Sequence, residues 1–398
     1  MGKAGFRPAS LDAVNPLLAD VRGAWGSYLN VFLVTQQHWS RTEVGWDTTT
    51  GAPLHESTLP PRGAASSAVQ KFRGGDGGLS HQLSRVTLIA APLDPAKFRD
   101  PLRTAKGELR ASVSLARLRT LWFNTGTLCN ITCAHCYTES SPRNDALSYM
   151  TAADVRGFLE EAAFHPLEEV GFTGGEPFMN PELPAMLEDT MAHGLRALVL
   201  TNARRPMMLR RETVARLHAR YPGQLTARVS LDHYDAQHHD AERGAGSFAR
   251  AMEGLRWLVG AGLNLAVAGR AAFGHEPEDA LRAGFARLFA ADGIALDATD
   301  PVTLVLFPEM DPAAEVPEIT EVCWGILHRS PDSVMCALSR MVVRRRGADR
   351  PAVLACSLLA YDERFEPGST LAEASGPVKL NHPHCARFCV LGGAACSR

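Results

Sequence analysis

"TLCNITCAHCYTE", Thr127–Glu139, sets Cys129, Cys133 and Cys136 within eight residues. The stretch before it, "TLWFNTG", reads as a strand, so the three thiols fall in the loop above that strand's carboxyl end. A structural zinc takes four protein ligands, usually as two separated pairs, and His135, beside Cys136, is badly placed to complete one tetrahedron. An iron–sulfur cluster normally has four thiolates. Three thiolates suit a metal centre with one position left open.

Outward from this loop the chain is regular. "TAADVRGFLEEAAF" predicts a helix with Thr151 as N-cap, Asp154 at the capping-box position, and Val155, Phe158 and Leu159 on one face. "EEVGFTG" is a strand. "NPELPAMLEDTMAHG" is a helix, with Asn180 as cap, Pro181 in the first turn, a stripe of Leu183, Met186, Leu187 and Met191, and Gly194 as the stop. The strand "RALVLTN", helix "RRETVARLHARY", strand "QLTARVSLD" and helix "GSFARAMEGLRWLVGAG" follow. "LNLAVAGRA" with "PEDALRAGFARLFA" makes a fifth pair, and "PVTLVLF" a sixth strand. Strict alternation with short connections predicts an α/β fold, a full or partial TIM-like (β/α)6 barrel of parallel strands over residues 118–307. Its chemistry is expected at the carboxyl ends of the strands.

C-x3-C-x2-C after the first strand, with "GFTGGEP" after the second, resembles the radical S-adenosylmethionine enzymes. The resemblance implies a [4Fe–4S] cluster on Cys129, Cys133 and Cys136. Its open iron would be chelated by the amino and carboxylate groups of S-adenosylmethionine, and an electron from it would cleave the S–C5′ bond to a 5′-deoxyadenosyl radical. An electron donor such as flavodoxin or ferredoxin is implied, as is oxidoreductase chemistry on a peptide or a small molecule. In the family the TGGEP segment holds the methionine ammonium. That makes Gly174, Gly175, Glu176 and Pro177 candidates, with Glu176 as acceptor and the glycines leaving backbone bare for a ligand. Period-two alternation in "TARVSLDHY" puts Arg228, Ser230 and Asp232 on one face. The family places ribose and carboxylate contacts there, so Ser230 and Asp232 are candidates, against a structural salt bridge among these residues. Asn202 and Arg270 occupy analogous strand tips, and Arg270 suits the methionine carboxylate. "SLDHYDAQHHDAERGAGSF" departs from the family's peptide-modifying branch at His233, where Gly is common; from sequence its histidines do not count as a metal site.

After about Pro308 the pattern changes. "MCALSRMVVRRRGADRPAVLACSLL" predicts two strands around a Gly-containing turn, with Cys336 and Cys356 at its base, in a separate cysteine-rich unit over 320–398. Cys385, Cys389 and Cys396 crowd the end. The arrangement resembles the twitch or SPASM extensions, which bind auxiliary iron–sulfur centres. The preferred ligands of an auxiliary [4Fe–4S] cluster are Cys336, Cys356, Cys385 and Cys389, with Cys396 as substitute; a zinc knuckle is the competitor. Arg344, Arg345 and Arg346 at the turn read as a solvated face, with a weaker role in holding an acidic substrate.

Composition sets the remaining bounds. The 398 residues are 45% apolar and 21% charged with net charge −2, which points to neither nucleic acid nor an anionic membrane as partner. No apolar run reaches the ~18 residues of a membrane helix. The start lacks a signal peptide's apolar core. The cytoplasm is therefore expected, where nine cysteines read better as metal ligands than as disulfides. Residues 1–110 are expected to be a small accessory domain or a poorly ordered extension, with a Pro/Gly/Ser-rich linker at about 58–80. The function class that competes with an enzyme is a non-catalytic iron–sulfur or zinc protein.

Overall fold

A computed structural model of the chain describes residues 91–271, 276–308 and 310–393. The accessory region and linker expected before residue 91, and Cys396, lie outside the described residues. Those from Asp94 onward belong to one compact unit.

All six expected strands form: β1 Thr120–Asn124, β2 Glu169–Thr173, β3 Arg196–Thr201, β4 Leu225–Ser230, β5 Asn264–Arg270 and β6 Leu304–Phe307. They pair in parallel and in sequence, with Thr120 opposite Glu169, Ala197 opposite Leu225 and Val267 opposite Leu304. Both faces of such a sheet are covered, which is why β1 is buried along its whole length. The crossovers are helices α1 Ala152–Glu161, α2 Leu183–Ala192, α3 Arg205–Leu209 with α4 Arg211–Arg220, then α5 Ala236–Arg243 with α6 Ser247–Gly260, and α7 Glu278–Ala291.

Local chemistry accounts for the helix ends. Thr151 and Asp154 form the predicted capping box of α1. The α2 stripe of Leu183, Met186, Leu187 and Met191 is buried as predicted. Asn180, the predicted cap, stands two residues ahead of the cap position, which Glu182 holds, yet it still serves the start of α2: its Oδ1 accepts the Glu182 N–H at 2.9 Å. Its Nδ2 at the same time donates to the carbonyls of Thr125 (3.0 Å) and Met150 (2.8 Å). One buried amide thus satisfies the helix entry and two carbonyls of the loops beside it.

The predicted hairpin forms as β7 Ser339–Val343 and β8 Ala352–Leu354. It does not stand apart. β7 lies parallel to β1, with Thr120 opposite Ser339, so the sheet runs β6-β5-β4-β3-β2-β1-β7-β8. This order has two ends, the topology of a partial barrel. A short ladder of Ser112–Val113 with Val378–Lys379 ties the segment before β1 to the tail. The buried Arg110, ion-paired with Glu318, does so again at 2.6 Å.

Candidate functional site

The loop after β1 is held in place by backbone. Gly175 N donates to Gly126 O (2.8 Å), Glu176 N to Leu128 O (3.2 Å), and Cys129 N to Ser141 O (3.0 Å). A Cβ on Gly175 would stand 2.2 Å from Leu128 O, and one on Gly174, at φ +131°, would stand 2.4 Å from Gly126 O. The two glycines thus make room for the cysteine loop itself. Only the side that a Cβ would occupy is filled by Gly126–Leu128; both glycines stay half-buried. Pro177 opens a short 3-10 turn, Pro177–Met179, capped by Glu176.

Glu176 is buried, and its carboxylate accepts from Thr201 Oγ1 (2.8 Å), Asn202 N (2.8 Å) and Phe178 N (3.3 Å). Burial pushes its pKa up to about 7 against those hydrogen bonds. Asn202 carries the connection onward: its Nδ2 donates to Asn130 Oδ1 at 2.8 Å and lies 3.9 Å from Cys129 Sγ. The TGGEP turn, the β3 tip and the first cysteine therefore form one hydrogen-bonded block.

Of the three thiols, Cys129 is buried and Cys133 and Cys136 are half-buried. Burial pushes Cys129 up to about 12 and raises Cys133, each further raised by its neighbouring thiols. Left alone, Cys129 stays protonated at neutral pH; a bound metal would take the proton off. Cys136 Sγ receives the Ser140 N–H at 3.4 Å and lies 3.4 Å from Thr138 Oγ1. Soft donors with N–H and O–H groups aimed at sulfur suit an iron–sulfur centre.

Helix α5 grips the loop from the far side, and this contact was missed in the sequence. Glu242 O accepts from Ala134 N (2.8 Å), and its carboxylate lies 2.9 Å from His135 Nδ1. The same carboxylate takes Arg270 Nη1 at 2.6 Å, so Arg270 sits in an internal ion pair. Asp232, at 3% exposure, receives Arg243 in a two-pronged pair, Nε at 2.7 Å and Nη2 at 2.9 Å. Burial works to raise Asp232, and Arg243 outweighs it, leaving the pKa lowered. The salt bridge foreseen on this face is thus real, but its cation comes from the helix and not from Arg228. Ser230 ends β4 half-buried, at the same rim. An Asx cap at Asp235 eight residues before Arg243 was the available signal for α5.

A second set of thiols lies under the hairpin. Cys336 immediately precedes β7, Cys356 follows β8, and Cys385 and Cys389 lie one turn apart on the π-helical segment Cys385–Leu391. All four line one small cavity, together with His384 and apolar side chains. Cys323, on a short helix Val322–Ile326, does not line it. Burial raises Cys336 to about 11 and raises Cys385 as well. Arg340, 1% exposed, is bonded to the carbonyls of Cys336 (2.6 Å), Ser339 (2.8 Å) and Ala374 (2.7 Å), and the charges it feels are those of Cys336 and Cys356. A buried guanidinium set against carbonyls and two thiols is suited to thiolates. The arginine run at the turn is not a bare patch either: Arg344 pairs with Asp154, Arg345 with Glu366, and Arg346 with Asp145.

A parallel α/β barrel thus carries three thiols above the carboxyl end of its first strand, the end where folds of this class gather their functional groups. Residues 123–283 match the model of the Radical SAM superfamily. The subtilosin biosynthesis protein AlbA of Bacillus subtilis is 30% identical over 141 residues, covering 35% of this chain and 30% of that protein. Mycofactocin maturase MftC of Mycobacterium ulcerans is 33% identical over 135 residues, 34% of each. The chain thus spans about a third of the length of these curated relatives. Among solved structures, Streptococcus suis SuiB bound to S-adenosylmethionine aligns with TM-score 0.47 and 13% identity, over 64% of this chain and 63% of that one. Among the described residues no helix is long and apolar enough to cross a membrane.

Proposed function

We propose that the chain cleaves S-adenosylmethionine reductively at the Cys129–Cys136 loop and uses the resulting radical on a peptide. The observation that supports this most is the loop's construction: three thiols held over the sheet's carboxyl end by the Gly174–Glu176 turn. A [4Fe–4S] cluster on these thiols would leave one iron for the amino and carboxylate groups of S-adenosylmethionine and supply the electron that breaks its S–C5′ bond.

The chain's own residues prepare the site. Glu176 fixes Asn202 and the loop as one block, Cys136 receives hydrogen bonds from its own turn, and Asp232–Arg243 holds the rim of β4 against α5. Ser230, at that rim, is the group proposed to meet the ribose. Because Glu176, Asp232 and Arg270 are already partnered, their proposed part is to position the loop and strand tips; direct contact with the co-substrate falls to groups around them.

For the tail we propose an auxiliary cluster on Cys336, Cys356, Cys385 and Cys389. Tetrahedral zinc would hold its sulfurs about 3.8 Å apart, from Zn–S bonds of about 2.3 Å. Zinc on the same four thiols is the competing reading, and acid-labile sulfide, which a zinc site lacks, decides between them. The names of the relatives, a maturase and a bacteriocin biosynthesis protein, support a peptide substrate.

Anaerobic reconstitution tests the reading. Wild type with a reductant should form 5′-deoxyadenosine, and Cys133→Ala should form none while keeping the barrel's circular dichroism. Cleavage retained in Cys133→Ala, or absent from iron-loaded wild type, would overturn the assignment. Cys356→Ala should lose the second cluster's iron and spare the first.

A further inference from the structure

We propose that the face made by α3 and the start of α4 docks an acidic protein that carries single electrons to the cysteine loop. The inference rests on the cleavage reading above, because a centre that breaks S-adenosylmethionine reductively needs an electron for each bond it breaks.

The whole chain carries a net charge of −2, yet Arg204–Arg220 holds six arginines against one glutamate, a net of +5. On other faces, Arg156 pairs with Asp189, Arg256 with Asp292 and Arg346 with Asp145. In this run Arg220 alone is matched, by Glu188. Among the described residues Arg205, Arg210, Arg211 and Arg216 have no ion pair, and neither has Arg250 in the first turn of α6. All of these but Arg210 are exposed. Uncompensated charge of one sign at this density sets up a field that steers a partner of the opposite sign.

The patch also has an apolar centre. Met207 anchors α3 in the core at 0% exposure, and Leu209 is left outward at 73%. A single exposed leucine is ordinary; ringed by unpaired guanidiniums it gives the apolar centre and polar rim of a protein contact. Residues 204–220 contain no Phe, Tyr or Trp on which a base could stack, so a protein fits better than a nucleic acid.

The surface backs directly onto the thiols. α3 packs against the Pro177–Met179 turn that Glu176 caps. A Cβ on Gly254 of α6 would stand 1.8 Å from Ala203 O, so α6 presses on the same strand tip. Arg204, 9% exposed, lies between, within electrostatic reach of Arg250 outward and of Cys129 and Cys133 inward. Two residues earlier, Asn202 places Nδ2 3.9 Å from Cys129 Sγ. An electron delivered here enters beside Cys129. The carrier loses one electron, the iron–sulfur centre gains it, and no proton or atom changes hands.

The probe is an acidic flavodoxin, used on full-length anaerobically reconstituted protein. Calorimetry with the oxidised form reads docking; 5′-deoxyadenosine formed with its hydroquinone, beside that formed with dithionite, reads electron delivery. Wild type should bind saturably and more weakly as salt rises. The variant Arg205→Glu/Leu209→Ser/Arg211→Glu should lose about tenfold or more in affinity and in flavodoxin-supported rate. Its dithionite-supported rate and melting curve should match wild type, since all three side chains are exposed. No binding by wild type, equal affinity in the variant, or equal losses with both reductants would overturn the proposal. So would displacement of flavodoxin by a short single-stranded RNA or by anionic vesicles that bind these residues more tightly. Docking lost in the variant, with no cleavage by wild type under either reductant, would instead refute the cleavage reading and leave the docking surface standing.

Discussion

Gly175→Ala is the smallest change that should dismantle the candidate site while leaving the barrel. The added methyl would stand 2.2 Å from Leu128 O, 2.6 Å from Leu128 C and 2.8 Å from Thr127 O, all backbone atoms that no rotamer change can move. To reach ordinary contact, the loop must retreat by about 1 Å. That shift breaks the Glu176 N to Leu128 O bond, now 3.2 Å, and carries Cys129 with it. Metal ligands tolerate about 0.2 Å. Overpacking of this kind costs about 1–3 kcal/mol, well short of unfolding a domain this size. The expected result is a folded protein with a melting temperature lowered by several degrees, which loses the iron of the β1 loop and forms no 5′-deoxyadenosine. Iron and acid-labile sulfide per chain, read beside a circular-dichroism melt, check this. Gly157→Ala in α1 is the matched control: nothing lies within 4 Å of its new Cβ, so it should gain about 0.5–1 kcal/mol and keep its iron. Wild-type iron content and turnover in Gly175→Ala would refute the idea that backbone contact sets the loop.

Other variants probe the supports one at a time. Arg243→Ala leaves the buried Asp232 carboxylate without its partner and should cost about 3–5 kcal/mol in urea denaturation, with Lys restoring only part because it lacks the two-pronged fork. Asp154→Ala removes both the α1 capping box and the Arg344 pair, and should cost about 1–2 kcal/mol with S-adenosylmethionine cleavage unchanged. In the metal-free chain burial pushes the Glu176 carboxyl up to about 7, above its ordinary 4.5. Its proton is therefore held more tightly by the native state. The resulting stability is full below pH about 4.5 and is lost as pH rises through about 7, by something on the order of 3 kcal/mol. Denaturation at a series of pH values should show that fall in wild type and a flatter profile in Glu176→Gln.

The strands and helices were legible because their signals are periodic and local: the alternation from Thr120 to Phe307, the Thr151–Asp154 box, the α2 stripe. The three loop cysteines and the hairpin with Cys336 and Cys356 at its base were legible for the same reason. What escaped was pairing over long separations. Nothing near Arg270 signals Glu242, and nothing in "VVRRRG" signals Asp145, Asp154 and Glu366, which lie on three separate segments. Asn180 was legible as the residue that opens α2, but the two carbonyls its Nδ2 bridges come from distant segments and left no local signal. The hairpin's place beside β1 was equally hidden, since an isolated pair and a sheet extension have the same sequence pattern.

These long-range contacts explain how thirteen residues with few apolar side chains can present three thiols in a set geometry. A loop of that kind has little core of its own and pays its ordering entropy with contacts made elsewhere. Here the contacts come from four directions. The β2 turn supplies Gly175 and Glu176, the β3 tip supplies Asn202, and α5 beyond β4 supplies Glu242. From the tail, the Tyr361 hydroxyl donates to Thr138 O at 2.8 Å while accepting from Asn144 at 3.2 Å. The last contact ties the cysteine loop to the unit that holds the other four thiols. It follows that the loop cannot be transplanted onto another barrel by its own sequence alone. Tyr361→Phe, which deletes one hydroxyl and no packing, should loosen the loop from the tail without disturbing either set of cysteines directly. Faster amide exchange confined to residues 136–144 is the expected sign; unchanged protection there would mean that the barrel-side anchors suffice.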